Sequence, residues 1–223
     1  MTNTSTKIHL EFADNDIRSY DRGTNLLQIA AEFQGKLKSP IVAAKIGNIF
    51  YDLHHIPQTD AKVIWVDLSD QDGIRVYSRS LCLVFMKAAA ELFPGCQVRF
   101  EHSLCKGIYG ELNPNNGKPF TAADLRQIEG RMREIIAADE PITKETVALD
   151  EAICLFESKA QLDKVRLLRY KEENRLHLSH LGDYTDYFYG YMVPSTGFLN
   201  LFELRFYLPG FILRFPFHPL RQA

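Results

Sequence analysis

The chain is poor in cysteine, balanced in charge and free of long apolar runs, and each shortage excludes something. Only four of its 223 residues are cysteine. Cys82, Cys96, Cys105 and Cys154 are scattered, with no C-x-x-C pair. That argues against a disulfide framework or a zinc knuckle and for reduced thiols in a cytosolic protein. Lys and Arg total 26 and Asp and Glu total 28, a net charge of −2, which excludes a strongly basic nucleic-acid module. No stretch reaches the roughly 18 consecutive apolar residues that a membrane span requires. The polar Met1 to Lys7 segment has no apolar signal-peptide core. A cytoplasmic location with no membrane partner is therefore expected. A hydrophobic fraction of 46% is ordinary for a globular protein and excludes a disordered tail.

The common catalytic signatures are also missing. A phosphate-binding P-loop reads G-x-x-x-x-G-K-[ST]. The two Gly-Lys pairs, Gly35-Lys36 and Gly117-Lys118, are followed by Leu37 and Pro119, so neither fits. There is no G-x-S-x-G elbow and no H-E-x-x-H. His54-His55 has no third ligand placed near it. His177 and His180 would share a face on a helix and face opposite sides on a strand.

The residues that are present divide into two parts near Asp67 to Gly73. In residues 1–70, Lys7 to Phe12 and Ile17 to Tyr20 alternate as the arms of a hairpin around Asp14-Asn-Asp16. Thr24 is an N-cap candidate for a helix carrying Leu26, Leu27, Ile29, Ala30 and Phe33, with Gly35 as its stop. Ile41–Ile46 and Ile49–Leu53 flank Gly47-Asn48 as a second hairpin, and Val63–Val66 is a fifth strand. In residues 71–223, Arg79 to Leu92 is a long helix stopped by Pro94-Gly95. Gln97–Glu101 and Gly107–Leu112 are paired strands. Thr121 caps a helix to about Ala138, with Asp124 at its N3 position. Pro141 to Ala148 is a strand, and Asp150 opens a helix through Phe156. Phe202 to Phe217 is two strands around Pro209-Gly210. Tyr207, Ile212 and Phe217 fall outside the alternation of that hairpin and are expected to face a downstream domain or a second copy.

Two groups of residues carry a family resemblance. Asp21-Arg-Gly-Thr24 with its helix and Ile41 to Leu53 resembles a TGS domain, a small ubiquitin-like β-grasp fold. Tyr77-Ser-Arg-Ser80, Leu92-Phe-Pro94, Lys106-Gly-Ile-Tyr109, Ile128-Glu-Gly-Arg-Met132, Ala152 to Phe156 and Val193-Pro-Ser-Thr-Gly197 resemble the editing domain of threonyl-tRNA synthetases. The resemblance implies an α+β chain: a β-grasp TGS domain over residues 1–70 and a degenerate editing-like domain over residues 71–223.

The departures from that family matter most. Such editing domains hold a His-x-x-x-His pair on the long helix and a Cys-x-x-x-His pair near the Val-Pro-x-Thr-Gly stretch. The aligned positions here are Arg79, Leu83, Phe188 and Met192. Leu and Phe offer no lone pair, and Arg is a permanent cation without an acceptor, so no metal and no catalytic residue is expected. The cleft either fills with hydrophobic packing or keeps an anionic or amino-acid-like ligand. Its candidate binding residues are Arg79, His102, Lys106, Tyr109 and Tyr191: cations for phosphate or carboxylate, tyrosines for stacking or hydrogen bonding.

The same two-part head, with Tyr-Gly-Tyr-Met-Val-Pro-Ser-Thr-Gly near its end, also resembles the N-terminal region of bacterial uridine-kinase-like proteins. That implies a non-catalytic regulatory head, read as a fragment, whose partner is a downstream P-loop kinase domain using ATP and Mg. No cofactor is expected in residues 1–223 themselves. The alternative is an RNA-contacting module that meets a tRNA acceptor end or aminoacyl group without hydrolysis. Weak RNA or nucleotide binding and self-association through the C-terminal strands complete the expectations.

Overall fold

The computed structural model describes residues 6–36, 39–115, 117–159 and 161–216. Residues 141–190 form one compact unit, and the described residues before and after them form the other. The expected division at 67–73 lies within the larger unit.

The larger unit opens with strands β1 (Lys7–Glu11) and β2 (Ile17–Asp21), helix α1 (Leu26–Ala31), and strands β3 (Ala43–Ile46), β4 (Ile49–Tyr51) and β5 (Ala61–Val66). They build a five-stranded sheet in the order β2-β1-β5-β3-β4, with β1 and β5 parallel. This is the expected β-grasp. Ile8, Leu10, Leu26, Ile29 and Val63 alternate or recur onto one buried face, as periods of two and 3.6 require. Phe12, Phe33 and Trp65 close that core, with Phe12 centroids 4.6 Å from Phe33 and 5.6 Å from Trp65. The helix cap is Asn25 rather than Thr24. Asn25 accepts from the Gln28 amide while the Gln28 side chain accepts from the Asn25 amide, a reciprocal box that satisfies two orphan donors. The helix ends at Ala31, before Gly35.

Helix α2 (Gln71–Leu92) begins eight residues earlier than Arg79, because Asp70 caps it by accepting from the Asp72 amide. The polar Gln71-Asp72-Gly73 stretch is its first turn, not a connector. Gly73 is needed there: a Cβ would collide with the Asp67 carbonyl. Strands β6 (Gln97–Leu104) and β7 (Gly107–Asn113) pair as expected, with a bulge between Phe100 and His102. Helix α3 (Ala122–Ala137) starts at the Thr121–Asp124 capping box. Strands β11 (Glu203–Tyr207) and β12 (Gly210–Arg214) complete a sheet ordered β11-β12-β7-β6. Its inner face meets α2 through Phe211, whose ring stacks on Phe85 at 4.2 Å and meets Phe100 edge-on at 5.9 Å. Gly110 makes room for that ring; a Cβ there would sit 2.7 Å from Phe211 Cζ.

Leu204, Phe211 and Leu213 are buried on one face, as the alternation of the C-terminal strands requires, while Phe206, opposite Phe211, is 38% exposed. Ile212, expected to face outward to a partner, is instead 5% exposed. It lies opposite Tyr109 and Arg205 on the outer sheet face. Tyr207 from the neighbouring strand meets Tyr109 at 5.9 Å on that face, so aromatic neighbours cover Ile212. Tyr207 is exposed as expected, and Phe217 lies outside the described residues.

The smaller unit contains β8 (Ile142–Ala148), α4 (Leu149–Ser158), α5 (Leu162–Leu168), β9 (Arg175–Leu181) and β10 (Tyr184–Tyr187). Its sheet is ordered β10-β9-β8, and Ala152, Phe156, Val165, Leu168, Leu176 and Leu178 form its core. His177 and His180 are on β9 and so face opposite sides; His177 meets Thr146 and His180 meets Thr185.

Candidate functional site

The segment after Gly190 is laid along α2 by hydrogen bonds that its sequence supplies. Arg79 donates to the Tyr191 carbonyl at 2.7 Å. Ser80 is fully buried; its hydroxyl donates to the Val76 carbonyl, accepts from the Val193 amide at 3.0 Å, and lies 3.5 Å from Met192 Sδ. Thr196, also fully buried, accepts from the Glu140 amide and donates to the Ile135 carbonyl. Asp139 receives the Ser195 hydroxyl and the Gly197 amide. The Val-Pro-Ser-Thr-Gly stretch is thus a structural clasp between α2 and the end of α3. Tyr77 adds to it, its hydroxyl accepting from the Leu201 amide at 2.8 Å and donating to the Leu201 carbonyl. Burial pushes the Tyr77 phenol up to about 12.

Two of the four positions aligned with the hydrolytic ligands, Arg79 and Met192, belong to this clasp. Arg79 is half-buried. Burial lowers its pKa, the neighbouring Arg75 adding to this and Cys82 partly opposing it. Leu83 is fully buried in the core. Met192 is nearly so and rests on Ser80. Phe188 belongs to the smaller unit. Beside Arg79, burial pushes the Cys82 thiol up to about 12, away from the thiolate that a nucleophile needs. Among the described residues, no three His, Cys, Asp or Glu side chains converge on one point.

The five candidate binding residues do not form one cleft. Arg79 and Tyr191 are together, and the Tyr191 ring packs on Phe50 at 5.2 Å. His102 and Tyr109 are a second pair, with centroids 5.3 Å apart. Their register puts them on the outer sheet face, the side away from Phe211 and α2. The Tyr109 hydroxyl donates to Glu111 at 2.8 Å, and burial, with that carboxylate, pushes the phenol up to about 12. Lys106 stands apart at the tip of the β6–β7 hairpin. Sequence reasoning missed Ser80 and Thr196 as the groups that hold the clasp. The signal was their small hydroxyls inside otherwise apolar or turn-forming stretches.

The landmarks that join these elements also appear in proteins of known function. The chain is 31% identical over 192 residues to a threonine–tRNA ligase of Marinobacter nauticus, covering 86% of this chain and 30% of the ligase. It matches the ligase of Methylococcus capsulatus to the same extent. The ligase of Burkholderia lata is 29% identical over 198 residues, 88% of this chain and 31% of that protein. The chain is homologous to the N-terminal region of threonine–tRNA ligase. It spans about a third of the length of these ligases. No family model matches it. The fold is accordingly α+β, a β-grasp TGS domain followed by an editing-like domain. The comparisons give no support to the uridine-kinase association, and similarity to the ligase favours the tRNA-related reading over a kinase head. No helix among the described residues is long and apolar enough to cross a membrane.

Proposed function

We propose that the chain is an RNA-contacting module that meets a tRNA acceptor end without hydrolysing the aminoacyl bond. The observation that carries this is the homology to threonine–tRNA ligase over most of the chain, combined with Arg79, Leu83 and Met192 taken up in packing. The reaction of an editing site needs a held water and a base. Here the aligned groups offer a guanidinium bonded to a backbone carbonyl, a buried isobutyl group and a thioether. None can take a proton from water at neutral pH.

Phosphate contacts need Lys and Arg. The chain is acidic overall, but residues 159–175 carry six Lys and Arg against three Asp and Glu. Lys164, Arg169 and Lys171 are engaged by Asp186, Glu157 and Glu173. Lys159 and Arg166 are exposed and form no ion pair among the described residues. Tyr170, 89% exposed, stands among them. A bare aromatic ring between cations suits a stacked base with flanking phosphates.

Residues 1–70, with their own core, and residues 71–223 are proposed as the two domains of this module. Filter binding to tRNA at low and moderate salt tests the reading. Binding that weakens linearly in log salt supports it. Arg166→Ala with Tyr170→Ala should weaken binding about tenfold or more. No retention of tRNA at low salt would overturn it.

A further inference from the structure

A cavity in the larger unit lies away from the clasp. It is a groove of about 530 Å³ between the first two turns of α2 and the tip of the β6–β7 hairpin. Its walls include Ile74, Leu104, Ile108 and Phe215. Among the described residues, its charged lining groups are Arg75 and Lys106, with no carboxylate. Arg75 shares Asp72 with Lys45, at 3.1 Å and 3.0 Å. Lys106 forms no ion pair among the described residues, so the groove keeps an uncompensated cation.

The hairpin tip is a second, independent observation. Cys105 and Lys106 have φ of +50° and +62°. Two successive residues in the left-handed region make a type I′ turn, for which Asn-Gly is the unstrained choice. The chain places two side-chain-bearing residues there instead, at a conformational cost that Asn-Gly would avoid. Strain of this kind gathers at ligand clamps, and what it achieves here is to hold a cation at the rim of an apolar groove.

The geometry points to a binding site for a nucleoside monophosphate moiety, its phosphate on Lys106 and Arg75 and its base against the apolar wall. The volume lies within the usual range of small-molecule sites, roughly 300–1,000 Å³. Two cations match a phosphate that carries between one and two negative charges at neutral pH. The aromatic ring of Phe215 provides a face for a flat base.

Calorimetric titration of the full chain with adenosine 5′-monophosphate and with adenosine tests this. The nucleotide should saturate one site, and adenosine should bind about tenfold or more weakly, since it lacks the charge-assisted contact. Lys106→Gly separates function from folding. Glycine relieves the positive φ, so the melting temperature should hold or rise while nucleotide affinity falls about tenfold. Adenosine binding should not change. Competition by a short RNA ending in an unpaired adenosine would assign the groove to a strand end, and lack of competition to a free nucleotide. No saturable binding of the nucleotide, or equal affinity in Lys106→Gly, overturns the inference whatever the tRNA experiment shows.

Discussion

Thr196 shows what a single hydroxyl does in this molecule. It is fully buried and satisfies the Glu140 amide and the Ile135 carbonyl at once. Thr196→Val keeps the shape and removes both bonds. The orphaned groups should cost about 1–3 kcal/mol, read as a lower urea midpoint with an unchanged slope. Ile212 makes the complementary point. It was legible in sequence only as an apolar residue out of phase with its strand, which suggested an interface. Its actual neighbours, Tyr109 and Tyr207, come from other strands, and cross-strand partners cannot be read from a period of two. Ile212→Asp therefore buries an unpaired carboxylate and should lower the melting temperature sharply. Tyr207→Ser, at an exposed site whose ring still meets Tyr109, should cost less, about 0.5–1.5 kcal/mol. Equal melting of both variants in a thermal scan would restore the interface reading of Ile212.

At the scale of elements, the start of α2 ties the β-grasp sheet to the rest of the larger unit. Lys45 on β3 pairs with Asp70 and Asp72. The hydrogen bond from Lys45 is the main reason the Asp72 carboxyl lies below its ordinary value, with Arg75 assisting and burial opposing. A carboxylate depressed in the folded state stabilises above its unfolded pKa, near 4, and loses that contribution as pH falls through its folded value. The stability gap between the protein and Asp72→Asn should thus be present at pH 7 and close as acid protonates the folded carboxylate. Added salt should shrink it, because the pair is partly exposed. Urea denaturation across that range measures it; a gap that persists in acid would mean the substitution acts through packing. The same region explains why the helix start was not legible. Asp67-Leu-Ser-Asp-Gln-Asp-Gly73 reads as a polar linker, and only the choice of Asp70 as cap turns its second half into helix. The β-grasp elements were legible because alternation and turn residues agree there. Strand β9 was not, because Arg175 to Leu181 mixes two histidines with a weak alternation.

For the whole molecule, the smaller unit is an insertion within the larger. Thr196 and Glu140 exchange backbone and side-chain hydrogen bonds, so the chain returns close to where it left. Replacing residues 141–190 by a linker of about six Gly and Ser residues should leave a cooperatively melting protein, since the five steps from Tyr191 to Thr196 span at most about 18 Å. Circular dichroism that shows no cooperative transition would contradict it. The family resemblance carried more of the molecular reading than any motif did, because the residues that differ from the hydrolytic set are informative only once the landmarks align them.

The central claim is RNA contact without hydrolysis, and one measurement addresses both halves. An acceptor minihelix carrying a labelled amino acid is incubated with the full chain and captured on a filter across a salt series. RNA and label should be retained together, retention should fall linearly in log salt, and the label should be released no faster than in buffer. Failure to retain the minihelix at low salt would contradict the contact. Release of the label faster than in buffer would contradict the loss of hydrolysis.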